Sequence, residues 1–179
     1  MTGPFVVEPL GSSHNRRSFT CGVEPLDQYV REQVLQDIRR RLSNCFLAVD
    51  TAGEVAGYYT LSATGLPMTD LAPDEARRLR RYPLLPAGLI GRLAVATRCA
   101  RQGLGAALIL DAVERVACAD PAIFALIVDA KDDSAGRFYS HLGFRRLISR
   151  PSSFYWPIAE VARRLSEQRE ATGQGKRTG

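Results

Sequence analysis

The sequence predicts an α/β fold: a mixed, twisted central sheet flanked by helices on both faces, in a single domain. Three observations predict it. Short apolar runs alternate along the chain with stretches whose apolar residues recur every three or four positions. The continuous apolar run from Ala122 to Val128 reads as a central strand buried on both faces. A glycine-rich turn at Gly103 and Gly105 joins a strand end to a helix start, which places a ligand crevice where the strands at 89–95 and 122–128 end. With 179 residues the chain can bury one sizeable core but not comfortably two, so residues 1–170 are expected to form the domain and 171–179 a polar, disordered tail.

Each element has its own signal. Phe5 to Leu10 reads as a first strand. Pro25 opens a helix in its first turn, where the missing N–H costs nothing, and Leu26, Tyr29, Val30, Val34, Ile38 and Leu42 define its buried stripe. Gln36, Arg39 and Arg40 then face outward. Cys45–Val49 and Val55–Ala63 form a hairpin about Ala52-Gly53. Residues 64–88 are punctuated by Gly65, Pro67, Pro73, Pro83 and Pro86 and read as irregular, with a short helix around Asp74 to Arg81; substrate specificity is expected there. Leu89–Val95 is the next strand, followed by a helix with apolar positions Ala106, Ile109, Leu110, Val113, Val116 and Ala117. Ser134–Leu142 is a short helix, Phe144–Ile148 and Phe154–Trp156 pair as final strands, and Ile158–Glu167 forms a terminal helix.

Composition narrows the function. An apolar share of 45% with 24% charged residues is that of a soluble globular protein. There is no opening signal segment and no apolar run of membrane length, so a cytoplasmic location and no membrane partner are expected. Cys21, Cys45, Cys99 and Cys118 are scattered, with only His14 and His141 to join them, which argues against a metal site or a disulfide framework. Within a net charge of +5, all but two of the 24 basic residues are arginines, clustered at 39–41, at 77, 78, 80 and 81, and at 145, 146 and 150. Arginine forks bind phosphate in a bidentate manner, so an extended anion such as RNA is a candidate partner; solvated helix faces are the plain alternative.

Two motifs carry the chemistry. Arg98 to Ala106, Arg-Cys-Ala-Arg-Gln-Gly-Leu-Gly-Ala, is a turn whose backbone N–H groups can hold a phosphate. About thirty residues on, Ala-Gly-Arg-Phe-Tyr-Ser-His-Leu-Gly-Phe at 135–144 brings one tyrosine on the next helix. Together they suggest group transfer from a phosphorylated carrier.

These residues resemble the GCN5-related N-acetyltransferases (GNAT). The family's acetyl-CoA loop, Q/R-x-x-G-x-G/A, aligns with Ala100 to Gly105, with Ala100 departing at the first position; Arg98 or Arg101 is expected to compensate. The family's N-x-x-A-x-x-L/F-Y-x-x-x-G-F aligns with Asp132, Ala135, Phe138, Tyr139, Gly143 and Phe144, with Asp132 replacing the usual Asn. The segments Phe19-Thr20-Cys21-Gly22 with Leu26-Asp27, Gly57–Ala63, Arg81-Tyr82-Pro83, Gly91–Val95 and Val128–Asp132 look like the GNAT toxins of bacterial toxin–antitoxin pairs. The resemblance implies a GNAT fold and acetylation of the α-amino group of aminoacyl-tRNA, which blocks translation. It also implies a ribbon-helix-helix antitoxin partner, operator DNA reached only through that antitoxin, and room for a homodimer. Acetyl-CoA would be held by Leu93, Ala94, Val95, Arg98, Arg101, Gln102, Gly103, Leu104, Gly105, Ala106, Asp132 and Phe138, with Leu93 and Val95 aiming N–H groups at the thioester carbonyl and pantetheine.

Amine attack on a thioester needs backbone donors at the carbonyl and a proton for the departing thiolate. Tyr139 is the expected catalytic acid: a phenol near ~10 can protonate a thiolate near ~8.5 with only about two kcal/mol of uphill transfer. No general base is evident, and an α-amine with a pKa of about 7.7 to 8.0 needs none, unlike a lysine near ~10.4. The bland reading of Phe138-Tyr139 is helix packing. Arg39, Arg40, Arg78, Arg81 and Arg92 are expected to contribute to the tRNA surface, unless they pair with Asp37, Asp74 or Glu75, or Arg92 braces the strand. The alternatives are a GNAT acting on a small amine or protein amino group, and a silent CoA- or RNA-binding module.

Overall fold

The computed structural model describes residues 4–79, 81–159, 161–163 and 167. Contacts group the chain into two compact units that interleave in sequence: one takes the chain to Thr64 and again Gly88–Ala112, the other takes Gly65–Ala87 and the chain from Val113. The long strands β3 (Val55–Pro67) and β4 (Leu84–Val95) and helix α4 (Leu104–Ala117) each carry the chain from one unit into the other.

In the first unit the strand order is β1 (Phe5–Pro9), β2 (Asn44–Asp50), β3, β4. β1 pairs antiparallel with β2 from Phe5↔Asp50 to Pro9↔Phe46, and β2 with β3 from Asn44↔Leu61, with a register shift at Ala48/Val49. Asp50 closes the β2–β3 turn, its Oδ1 accepting the N–H groups of Ala52 and Glu54 at 2.9 Å each.

The helix expected from Pro25 to Leu42 is three pieces: α1 (Glu24–Gln28), a π-helical turn (Tyr29–Gln33) and α2 (Val34–Arg39). Arg16 donates from Nη1 to the Val30 carbonyl at 2.7 Å, and a side chain inserted into the ladder is a recognised cause of such a break. The extra residue rotates the stripe and the helix ends before Leu42, which is 60% exposed rather than buried. Tyr29, Val30 and Val34 stay inside, packing with Phe19, Cys45, Leu47, Tyr58 and Ala94.

The loop before α1 is tied down by Asp27, which is 2% exposed and accepts from the Thr20 hydroxyl at 2.9 Å and the Cys21 N–H at 2.8 Å. Burial pushes this carboxyl up, but the Cys21 thiol and N–H, the Thr20 hydroxyl and Arg31 outweigh it and hold it below the usual carboxylate range. A lowered folded pKa stabilises above the unfolded value near ~4, and the contribution is lost as pH falls through the folded value. Asp27→Asn should therefore cost about 2 kcal/mol at pH 7 and much less at pH 3. Equal costs at both pH values in denaturant unfolding would refute this.

On α4 the buried stripe is Leu104, Leu108, Ile109, Ala112, Val113 and Val116, while Leu110, expected inside, is 52% exposed. Its period was correct but its phase was offset. Gly57 on β3 lets this helix sit close: a Cβ there would lie 3.0 Å from the Ala94 carbonyl oxygen and 3.1 Å from Leu108 Cδ1. Gly57→Ala should cost about 1–3 kcal/mol in thermal unfolding by displacing β4 or α4; an unchanged midpoint would show that the site has slack.

In the second unit β5 (Ala125–Asp129) pairs antiparallel with β7 (Ser153–Pro157), and β7 with β6 (Arg145–Arg146). The strand expected at 122–128 starts three residues later, and that expected at 144–148 pairs only at two residues. Much of the irregular stretch at 64–88 is strand: β3 runs on to Pro67 and β4 begins at Leu84, with the Met68 N–H bonded to the Pro83 carbonyl at 3.0 Å. Between them lie a 3₁₀ turn (Met68–Asp70) and α3 (Pro73–Arg78). Helix α5 spans Asp133–Leu142. The Ala162 N–H bonds to the Ile158 carbonyl at 2.9 Å, as in the expected terminal helix; positions 160 and 164–166 of that helix, and the tail at 171–179, lie outside the described residues. No described helix is long and apolar enough to cross a membrane.

Candidate active site

The turn at 100–106 is an array of outward donors. Arg101 has φ +60° and Gly103 φ +78°, so the chain reverses just before α4, and a Cβ on Gly103 would meet nothing within 4 Å. The first bond of the helix is from the Ala107 N–H to the Gly103 carbonyl at 3.1 Å. The N–H groups from Arg101 to Ala106 find no acceptor among the described residues, as expected at a helix start. Arg101, Gln102 and Gly103 are exposed and Leu104 is buried as the anchor. Gln102 donates back to the Arg98 carbonyl at 3.3 Å.

Arg98, expected at this turn, forms an ion pair with Asp50. Its Nη1 is 2.8 Å from Asp50 Oδ2, bracing the β2–β3 turn, and Asp50 lies below the usual carboxylate range through the Glu54 N–H first and Arg98 next.

On β4, the Arg92 N–H bonds to the Thr60 hydroxyl at 3.0 Å and the Ala96 N–H to the Ala56 carbonyl at 2.8 Å. Alternate N–H groups leave opposite edges of a strand, so those of Leu93 and Val95 leave β4 on the edge away from β3. Leu93 and Val95 are half-buried and Ala94 is buried.

Asp132 caps α5, accepting the Ala135 N–H at 2.8 Å, and Gly143 ends it with φ +112°, letting the Phe144 N–H reach the Tyr139 carbonyl at 3.1 Å. Phe144 is thereby packed 5.7 Å from the Tyr139 ring, with Phe154 at 6.1 Å. Tyr139 is 8% exposed and its hydroxyl makes no hydrogen bond with a described residue. Burial first, then Asp129 and Asp132, raise its pKa above that of an ordinary phenol, so the proton is held at neutral pH. Phe138 is 37% exposed beside it.

Among the described residues, none of Arg39, Arg40, Arg78, Arg81 and Arg92 pairs with a carboxylate. The carboxylates that could have taken them are engaged elsewhere: Asp37 accepts from Tyr29 at 2.8 Å, Asp74 lies 3.8 Å from Arg77, and Glu75 binds Arg145 at 2.9 Å. Arg39, Arg40, Arg78 and Arg81 are exposed. Arg92 is half-buried with its guanidinium 3.6 Å from the centre of the Tyr29 ring, a cation–π contact. Burial pushes the Cys45 thiol up to about 12, which keeps it protonated.

Residues 20–156 match the acetyltransferase (GNAT) domain family. The chain belongs to the GNAT acetyltransferase family. It is similar to a tRNA-acetylating toxin of Mycobacterium tuberculosis, 34% identical over 146 residues that cover 80% of this chain and 86% of the relative. Among solved structures it is similar to AtaT complexed with acetyl-methionyl-tRNAfMet, with a TM-score of 0.82 at 24% identity, covering 88% of this chain and 96% of that one. It is also similar to a tyrosine-to-phenylalanine mutant of the AtaT toxin bound to the C-terminus of the antitoxin AtaR, with a TM-score of 0.75 at 25% identity, covering 89% and 96%.

A GNAT acetyltransferase draws its acetyl group from acetyl-CoA, and the residues here fit that carrier. Six successive N–H groups without an acceptor among the described residues, and open space over Gly103, suit a pyrophosphate. Sequence reasoning missed four supporting residues: Thr60, which holds the Arg92 N–H; Tyr29, beneath the Arg92 guanidinium; Asp50, which takes Arg98; and Asp129, which acts on Tyr139. Each lies at least 10 residues from its partner, and no local spacing announces such a pairing.

Proposed function

We propose that this GNAT enzyme acetylates the α-amino group of aminoacyl-tRNA and so blocks elongation, as the toxin of a toxin–antitoxin pair. The 34% identity to a tRNA-acetylating toxin over 80% of the chain carries the reading. Five arginines without carboxylate partners among the described residues support an anionic acceptor. Bound acetyl-CoA supplies the acetyl group as an activated thioester. The Arg101–Ala106 backbone, with Gln102 and Leu104 in the loop, holds the pyrophosphate. The Leu93 and Val95 N–H groups orient the carbonyl and pantetheine, Ala94 anchors their strand, and Phe138 packs on the carrier. Asp132 fixes the start of α5, and Tyr139 Oη holds the proton for the leaving sulfur. The α-amine enters already neutral in part, so no residue need remove its first proton; the proton that nitrogen sheds as the amide forms restores the Tyr139 phenol after it has protonated the sulfur. A ribbon-helix-helix antitoxin, which would also bind operator DNA, a cytoplasmic location and a homodimer complete the proposal.

Transfer of labelled acetyl from acetyl-CoA to a pool of charged tRNAs tests it. Label on the aminoacyl end supports the reading and sequencing the labelled pool names the tRNA. Label confined to small amines or protein amino groups would replace it.

A further inference from the structure

Helix α3 is too short to hold itself. Its six residues make little more than one hydrogen-bonded turn, none of them is buried, and the N-cap Ala72 offers no side-chain acceptor. Two carboxylates hold the segment instead. Glu75 accepts from Arg145 Nη1 at 2.9 Å through Oε1 and from the Tyr155 hydroxyl through Oε2, and Tyr155 is 1% exposed in β7. Just upstream, Asp70, 5% exposed, accepts from the Ser149 hydroxyl and from Arg150 Nη2 at 3.4 Å, while its carbonyl takes the Ile148 N–H at 3.0 Å. Arg145 and Arg150, basic surface by sequence, are thus struts. Arg78 at the end of α3 and Arg81 just beyond stay exposed with no carboxylate partner among the described residues.

The geometry assigns Glu75, backed by Tyr155, as a positioning residue that holds α3 so that Arg78 and Arg81 meet the phosphates of the acceptor in a fixed arrangement. This rests on the aminoacyl-tRNA reading above. A frayed α3 would have to be ordered each time tRNA bound, and that entropy would weaken binding; a tethered α3 has it ordered beforehand.

The sign of the effect makes it testable. Glu75→Gln removes a negative charge, so charge alone predicts tighter binding of a polyanion, whereas positioning predicts weaker binding. Tyr155→Phe leaves both net charge and the buried ring in place. Both variants are expected to raise KM for aminoacyl-tRNA about tenfold, through lost charge-assisted hydrogen bonds. KM for acetyl-CoA and kcat at saturating tRNA should hold, and the dependence of log kcat/KM on log salt should flatten by about one to two. An unmoved or lowered KM for tRNA in Tyr155→Phe overturns the assignment, as does a parallel change in kcat and both KM values, which marks general unfolding. Wild-type enzyme that acetylates no aminoacyl-tRNA overturns the acceptor reading and this proposal together, a result distinct from active wild type with unaffected variants.

Discussion

Tyr139→Phe should lower kcat for acetyl transfer by about 10²- to 10⁴-fold and leave acetyl-CoA affinity within a few-fold. The substitution removes one oxygen from a ring packed against Phe138, Phe144 and Phe154, so the packing survives. No described residue hydrogen-bonds that oxygen, so its loss strands no buried partner. What disappears is the proton. Burial, reinforced by Asp129 and Asp132, favours the neutral phenol and raises the pKa, which keeps the acid form present to higher pH than an ordinary tyrosine would. Any alkaline loss of wild-type kcat from this group should therefore set in at higher pH than ionisation of an ordinary tyrosine would give. A variant that keeps near wild-type kcat would show that Tyr139 packs the helix and nothing more.

Reversing Arg39, Arg40, Arg78 and Arg81 together to glutamate should lower kcat/KM for aminoacyl-tRNA on the order of 10³-fold at 0.1 M salt, each lost phosphate contact giving up close to one released counterion. These four side chains are exposed and without carboxylate partners among the described residues, so reversal breaks no ion pair of the fold. Acetyl-CoA binding should not follow. Arg145 and Arg150, tied to Glu75 and Asp70, are poor choices for the same test because reversing them would break the ties of α3 and of the 3₁₀ turn before it. Unchanged tRNA acetylation at low salt by the quadruple variant would remove the arginines from the acceptor surface.

How far the sequence could be read follows the range of the interactions. The Leu104–Ala117 helix, the Ser134–Leu142 helix within one residue, and the β2–β3 hairpin are local events, the first announced by its apolar period and the hairpin by a turn glycine. The donor array at 101–106 was equally legible, because left-handed φ at Gly103 and a helix start dictate where those N–H groups point. The π-turn at 29–33 was not, since it answers to Arg16, fourteen residues before the carbonyl it binds. Nor was the long reach of β3 and β4 into the proline-marked stretch, where pairing outweighs local propensity.

The sequence by itself determined the family, the glycine turn that leaves N–H groups at 101–106 without acceptors among the described residues, and the helix that carries Tyr139, since each is written in a few adjacent residues whose backbone preferences act without help. Only the tertiary structure decided which arginines are struts and which are free. Arg98 was given to Asp50, Arg145 to Glu75 and Arg150 to Asp70, while Arg92 was laid on Tyr29. A guanidinium is long, mobile and indifferent to its own backbone, so its partner is set by whichever carboxylate or ring the fold delivers within reach.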